Sequence, residues 1–207
     1  MENIRIQNKI VGENKPSLII AEAGVNHNGK IDLALKLIDA AAAAGADAIK
    51  FQTFRAEQVV IASGKIAEYQ KRNLRTSMNQ LAMLKELELK EKYYPELIKR
   101  AKKRNIILFS TPHGGFASVD FLQSLGMPAF KFGSGDLTNL PLLKYAAKFK
   151  KPMIISTGMA TLAETKEAVS VIKRAGNNKI IVLHCTTNYP CPFDEVNLRS
   201  MQTIMKK

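Results

Sequence analysis

Short apolar, β-branched runs alternate along this chain with longer segments whose apolar positions recur every three or four residues. "SLIIAEA" (Ser17 to Ala23) predicts a strand, and "KIDLALKLIDAAAAAGA" (Lys30 to Ala46) an alanine-rich helix stopped by Gly45. Strand "DAIKFQT" follows, then a polar, irregular stretch from Phe54 to about Asn79. Helical "QLAMLKELEL" and "KEKYYPELIKRAKKR" come next, the second with Pro95 near its start. From there the rhythm is regular: strands "IILFST", "AFKFGS", "PMIIST" and "KIIVLHC" are separated by helices "ASVDFLQSLG", "LPLLKYAAKF" and "LAETKEAVSVIKRAG".

Continuous apolar strands, each followed by helical sequence, predict a parallel sheet covered by helices. A doubly wound open sheet and a (β/α)8 barrel both fit that description. Polar residues decide between them, because nearly every strand ends in chemistry: Glu22; Lys50, Gln52 and Thr53; Ser110 and Thr111; Lys131 and Ser134; Ser156 and Thr157; His184. An open sheet concentrates its site at one switch point, whereas a barrel gathers contributions from all strand ends at one mouth. The expected fold is therefore α/β of the TIM-barrel type, with about six of eight βα units. The last segment, "FDEVNLRSMQTIMKK", reads as a helix with Asp194 as N-cap. Either the sheet ends pair unusually, or the chain is the front part of a longer protein.

Composition narrows the class. The 207 residues are 46% hydrophobic, enough for a sizeable core. No apolar stretch reaches the length of a membrane span and the start lacks a signal-like apolar core, so the expectation is a cytoplasmic protein without membrane contact. Cys185 and Cys191 are spaced like neither a zinc knuckle nor a redox pair and read as reduced thiols. The formal charge of +13 suits anionic partners. Much of it lies in "KRAKKR" (Lys99 to Arg104) and "KFKK" (Lys148 to Lys151), which close helical patterns where cations favour the carbonyl ends. Aromatic residues do not interleave with these runs as a nucleic-acid stacking platform requires.

Lys50 and Lys131 each sit near the carboxyl end of an apolar strand. A buried ammonium needs a carboxylate, phosphate or carbonyl, although a lysine at a strand end also has the option of reaching solvent. "FGSGD" after Lys131 offers unobstructed backbone N–H groups and the Ser134 hydroxyl, an anion nest or a tight turn. It lacks the third glycine of a dinucleotide fingerprint and is no Walker loop. "STGM" (Ser156 to Met159) again ends a strand with hydroxyls and glycine. "AEAGVNHNG" contributes Glu22 for proton transfer or ion pairing, with His27 and Asn28 as site residues or caps of the next helix. His184 and His113 have no partner at metal-ligand spacing in the sequence, and neither is assigned a metal.

"IIAEAGVNHNG", "AIKFQT", "FSTP", "FKFGSGDLTN", "PMIISTGM" and "LHCTTNYP" resemble, in order, the strand-end motifs of the sialic acid synthase family, which makes N-acetylneuraminic, legionaminic and pseudaminic acids. The resemblance implies a TIM barrel that condenses phosphoenolpyruvate with an N-acylated amino sugar of the N-acetylmannosamine type, using a divalent Mn2+ or Mg2+ ion. It implies that Lys50, Lys131, Ser134 and Ser156 contact phosphoenolpyruvate, with Thr111 nearby, and that Glu22 serves proton transfer or orientation. Gln52, Asp136 and Tyr189 are implied as sugar contacts, and His184 faces the same mouth.

Asp136 stands where many members carry glutamate, "PHGG" after Thr111 departs from the usual loop, and Thr187 replaces an asparagine of some relatives. The two metal-binding histidine motifs, the last two βα units and the small antifreeze-like domain of the family's homodimers follow the region matched here. Residues 1–207 thus correspond to the first part of the synthase domain, and by themselves are expected to be inactive. Two rivals remain, a Schiff-base aldolase using Lys131 or Lys50 and a non-catalytic basic binding module.

Overall fold

The computed structural model describes residues 3–60 and 79–206. The chain forms two compact units, Met1–Pro128 and Ala129–Lys207. The first opens with a feature the periodicity did not announce, an antiparallel hairpin of β1 (Ile4–Ile6) and β2 (Lys9–Val11). Its alternation is short but real: Ile4 and Ile6 are buried and Arg5 is exposed. The two-residue turn holds Gln7 at φ +51. Lys9 pairs with Asp47, whose other carboxylate oxygen accepts the Ile19 N–H at 2.8 Å, so one side chain ties the hairpin to the segment before the next strand.

The remaining elements of this unit are β3 (Ile20–Gly24), α1 (Ile31–Ala43), β4 (Ala48–Thr53), α2 (Ala56–Val59), α3 (Gln80–Leu87), α4 (Tyr94–Lys103), β5 (Ile107–Pro112) and α5 (Gly115–Ser124). The strands are parallel in the order β3-β4-β5. Short α2 stands where an irregular stretch was expected; 61–78 of that stretch lies outside the described residues. β5 is buried throughout and β4 nearly so, as expected of strands covered on both faces. α4 starts with Pro95 in its first turn and buries Tyr94, Leu97 and Ala101, an i, i+3, i+7 stripe. Arg100 and Arg104 of the basic run reach Asp39 on α1 at 3.4 and 3.3 Å, which accounts for part of the charge there as helix-to-helix pairing.

The second unit contains β6 (Phe130–Phe132), α6 (Leu140–Ala147), β7 (Met153–Ser156), α7 (Leu162–Arg174), β8 (Ile180–Leu183) and α8 (Ser200–Met205), with parallel strands in the order β6-β7-β8. α7 begins in a capping box: the Thr161 hydroxyl accepts the Glu164 N–H, and Glu164 accepts the Thr161 N–H. From the "KFKK" run, Lys150 donates to the carbonyls of Ala175 and Gly176 at 2.7 and 2.9 Å, satisfying acceptors just past the end of α7. Asp194 is not a helix cap; it lies in a single 3-10 turn, Phe193–Glu195, and α8 starts only at Ser200. The intervening Asn197 has φ +46, which breaks the expected continuous helix. β8 is only half-buried along its length, and α8 has no buried residue.

Candidate functional site

In the first unit the β3–β4 register sets Glu22 opposite Lys50, and the β4–β5 register sets Gln52 opposite Thr111. Side chains alternate along a strand, so Lys50 and Gln52 share one face. There Lys50 Nζ lies 2.9 Å from Oε1 and 2.7 Å from Oε2 of Glu22, and donates to Thr111 Oγ1 at 3.3 Å. The lysine does not escape to solvent: its side chain is 6% exposed, while that of Glu22 is 57% exposed. A buried cation is thereby matched by a carboxylate that still meets water.

A register irregularity between Glu22 and Gly24 lets β3 turn beside this pair. Gly24 has φ +51, and a Cβ there would come within 3.5 Å of Glu22 Oε1 and 3.9 Å of Gln52 Nε2. Glycine thus supplies both the left-handed backbone and room around the carboxylate.

His27 does not cap α1. It is wholly buried, its ring lies 5.9 Å from that of Phe51, and Nδ1 accepts the Gly29 N–H at 3.1 Å. Burial lowers its pKa below the ordinary histidine value, against a smaller raising effect of the Gly24 carbonyl. α1 instead starts after Lys30, with no side-chain cap.

The second unit gathers hydroxyls. Ser134 lies in the 3-10 turn Ser134–Asp136 directly after β6, and its Oγ accepts the Gly158 N–H at 3.0 Å. Ser156, the last residue of β7, is buried, and its Oγ has no hydrogen-bond partner among the described residues. A Cβ on Gly158 would sit 2.6 Å from Thr187 Oγ1, 2.9 Å from Ser134 Oγ and 3.0 Å from the Cys185 carbonyl. The missing side chain therefore brings three strand ends together around one backbone N–H. The TTN sequence held no signal for Thr187 beyond a hydroxyl after a strand.

Lys131, in β6, and Asp136 are half-buried and belong to the same strand-turn segment. Tyr189 is exposed and is joined to Pro190 by a cis peptide bond. His184 Nε2 is 2.7 Å from the Val196 carbonyl, so that ring anchors the segment after β8. The ten expected site residues thus fall into two sets: Glu22, Lys50, Gln52 and Thr111 in the first unit, and the other six in the second.

Among the described residues no group of three or more His, Cys, Asp or Glu side chains is placed to hold a metal ion. Both cysteines are free. No helix among these residues is long and apolar enough to cross a membrane. A cavity of about 270 Å3 opens between α4, α5 and the hairpin turn, lined by Gln7, Lys102, Leu108 and Met127 among others, but it contains none of the candidate residues.

Parallel strands alternating with helices, with cations and hydroxyls at their carboxyl ends, define an α/β protein of the TIM-barrel type. The NeuB family model matches residues 37–207, and the chain belongs to that family. It is 50% identical to the N,N'-diacetyllegionaminic acid synthase of Campylobacter jejuni over 192 residues, 92% of this chain and 57% of that protein. It is 34% identical to human N-acetylneuraminate-9-phosphate synthase, over 95% of this chain and 54% of that one.

Among solved structures, the N-acetylneuraminic acid synthetase of Leptospira borgpetersenii in complex with citrate matches with a TM-score of 0.85 and 33% identity, covering 100% of this chain and 67% of that one. The spore coat polysaccharide biosynthesis protein SpsE of Bacillus subtilis matches at 0.83 and 36%, over 99% and 54%. The chain thus spans little more than half the length of the two synthases and of SpsE, and about two thirds of the Leptospira chain.

Proposed function

We propose that this chain forms the phosphoenolpyruvate-binding part of a nonulosonate synthase, which joins phosphoenolpyruvate to an N-acylated amino sugar and releases phosphate. The supporting observation is the buried, unpartnered Oγ of Ser156, two residues before the Gly158 N–H that Ser134 accepts. A buried hydroxyl without a partner costs about 1–3 kcal/mol, a penalty that an anionic acceptor removes. Ser156, Ser134 and Lys131 are assigned to phosphoenolpyruvate on this basis and on family likeness.

In the first unit, Lys50 is gripped by two carboxylate oxygens and a hydroxyl, and is assigned to the anionic substrate as a positioned side chain. In the proposed reaction the enol carbon of phosphoenolpyruvate bonds to the sugar aldehyde carbon. Water then adds to the resulting cationic carbon, and phosphate departs with C–O cleavage. Lysines and hydroxyls fixed before the reaction stabilise the anion without reorganising, and orient the enol face.

Glu22 orients Lys50, and its exposed carboxylate is the group assigned to proton movement. Gln52, Asp136 and Tyr189 are assigned to the sugar. The Mn2+ or Mg2+ ion expected by resemblance finds no three-ligand set among the described residues. Binding and orientation are therefore the roles proposed for these side chains, with a homodimer of the whole protein in the cytoplasm as the setting.

Calorimetric titration of phosphoenolpyruvate into the protein tests the proposal. Saturable binding that Lys131→Ala weakens at least tenfold is expected. Absence of binding at millimolar ligand overturns it, as does a lysine adduct trapped by borohydride with a keto substrate, which would favour the aldolase reading.

A further inference from the structure

Behind the strands that carry Lys50 and Thr111 lies a second polar cluster, on the opposite face of the sheet. Thr53 and Ser110 project from the opposite face of β4 and β5, towards α4. Thr53 Oγ1 is 2.7 Å from Ser110 Oγ and 2.6 Å from Tyr94 Oη, and Tyr94 donates to the Gln52 carbonyl at 3.3 Å. All three residues are buried: Thr53 is 4% exposed, Ser110 and Tyr94 not at all.

Each hydroxyl has one proton to give. Three hydroxyls and the Gln52 carbonyl therefore share three protons, and in the 2.7 and 2.6 Å bonds either oxygen can be the donor. Ser110, Thr53, Tyr94 and Gln52 thus form one connected chain in which each bond polarises the next. The deep burial that raises the Tyr94 pKa also keeps water from substituting for any member. Apolar side chains would cover this helix-sheet interface equally well, so the hydroxyls contribute geometry rather than burial.

We propose that Tyr94, acting through Thr53 and Ser110, is a positioning residue: it locks the carboxyl ends of β4 and β5 together and so sets the spacing of Lys50 and Gln52 from Thr111. Its strand ends are the ones that matter, since Gln52 and Thr111 are register partners and the next ladder bond, His113 N–H to the Thr53 carbonyl, is 2.8 Å long. That the locked residues bind phosphoenolpyruvate rests on the function proposed above; the lock itself does not.

The test compares wild type with Tyr94→Phe and Thr53→Val, which remove hydroxyls at nearly constant volume. Leu97→Ala, a wholly buried residue of the same helix, serves as the control for general destabilisation. Amide hydrogen exchange is followed for Gln52, Thr53 and His113 at the strand ends, and for Ile49 and Leu108 nearer the strand starts. In the two hydroxyl variants the end amides should exchange about tenfold faster relative to the start amides, the scale of one lost hydrogen bond. Leu97→Ala should shift both groups alike.

Thr53→Ser should restore protection in part. Phosphoenolpyruvate affinity should fall about five- to tenfold in Tyr94→Phe and stay within about twofold in Leu97→Ala, on the same scale. Uniform or unchanged exchange in both hydroxyl variants overturns the proposal. If wild type binds no phosphoenolpyruvate, the proposed function fails while the exchange data still decide on the lock.

Discussion

Lys50 and Glu22 face each other across β3 and β4 with two N–O contacts of 2.9 and 2.7 Å, yet only the carboxylate reaches water. This asymmetry predicts unequal responses to substitution. Glu22→Gln leaves a buried ammonium with weaker partners and should lower stability by about 1–3 kcal/mol, less than for a fully buried pair because water reaches that side. Lys50→Met removes the buried charge, leaves Glu22 solvated, and should change stability by less than about 1 kcal/mol. It should nevertheless abolish phosphoenolpyruvate binding. Urea unfolding and calorimetric titration of both variants read the two effects; a large stability loss in Lys50→Met would contradict this account.

The two serines of the second unit should separate in the same way. Ser156→Ala deletes a hydroxyl that has no partner, so the unliganded protein should be unchanged or up to about 1 kcal/mol more stable. Ser134→Ala strips the Gly158 N–H of its acceptor and should cost about 1 kcal/mol. Both should weaken anion binding. Thermal unfolding without and with phosphoenolpyruvate measures all four quantities, and equal unliganded midpoints shifted downward in both variants would refute the distinction.

His27 predicts a pH dependence with a definite sign. Its folded pKa is lowered by burial, so the unfolded chain takes up the proton more readily. The stability associated with neutral His27 is complete above the ordinary histidine value of about 6.5 and declines as pH falls below it towards the lowered folded value. Unfolding free energies measured from pH 8 to 5 should fall on the acid side, and His27→Gln should flatten that slope. An identical slope in the variant would remove His27 as its source.

The βα order was legible because each buried strand needs a continuous apolar run and each covering helix a stripe, and both are local patterns. The N-terminal hairpin was not, since three residues of alternation on each side of a turn are too short to stand out. Asp194 misled because an acidic residue before a helical pattern is the ordinary N-cap signal, whereas Asn197 in a left-handed conformation delays α8 to Ser200. Lys50, Glu22 and Ser156 were recognisable as polar residues ending apolar strands, but their states were not.

By itself the sequence determined the class of fold, the family, and which side chains end the strands, because periodicity and motif order are written in neighbouring residues. Only the tertiary structure decided partnership: that Lys50 is matched by Glu22 and Thr111, that Ser156 waits unpaired, that His27 is buried, and that Tyr94 is linked to Thr53 and Ser110. Hydrogen bonds act over about 3 Å, and residues 28 to 61 positions apart come that close only when parallel strand register and helix packing bring them there.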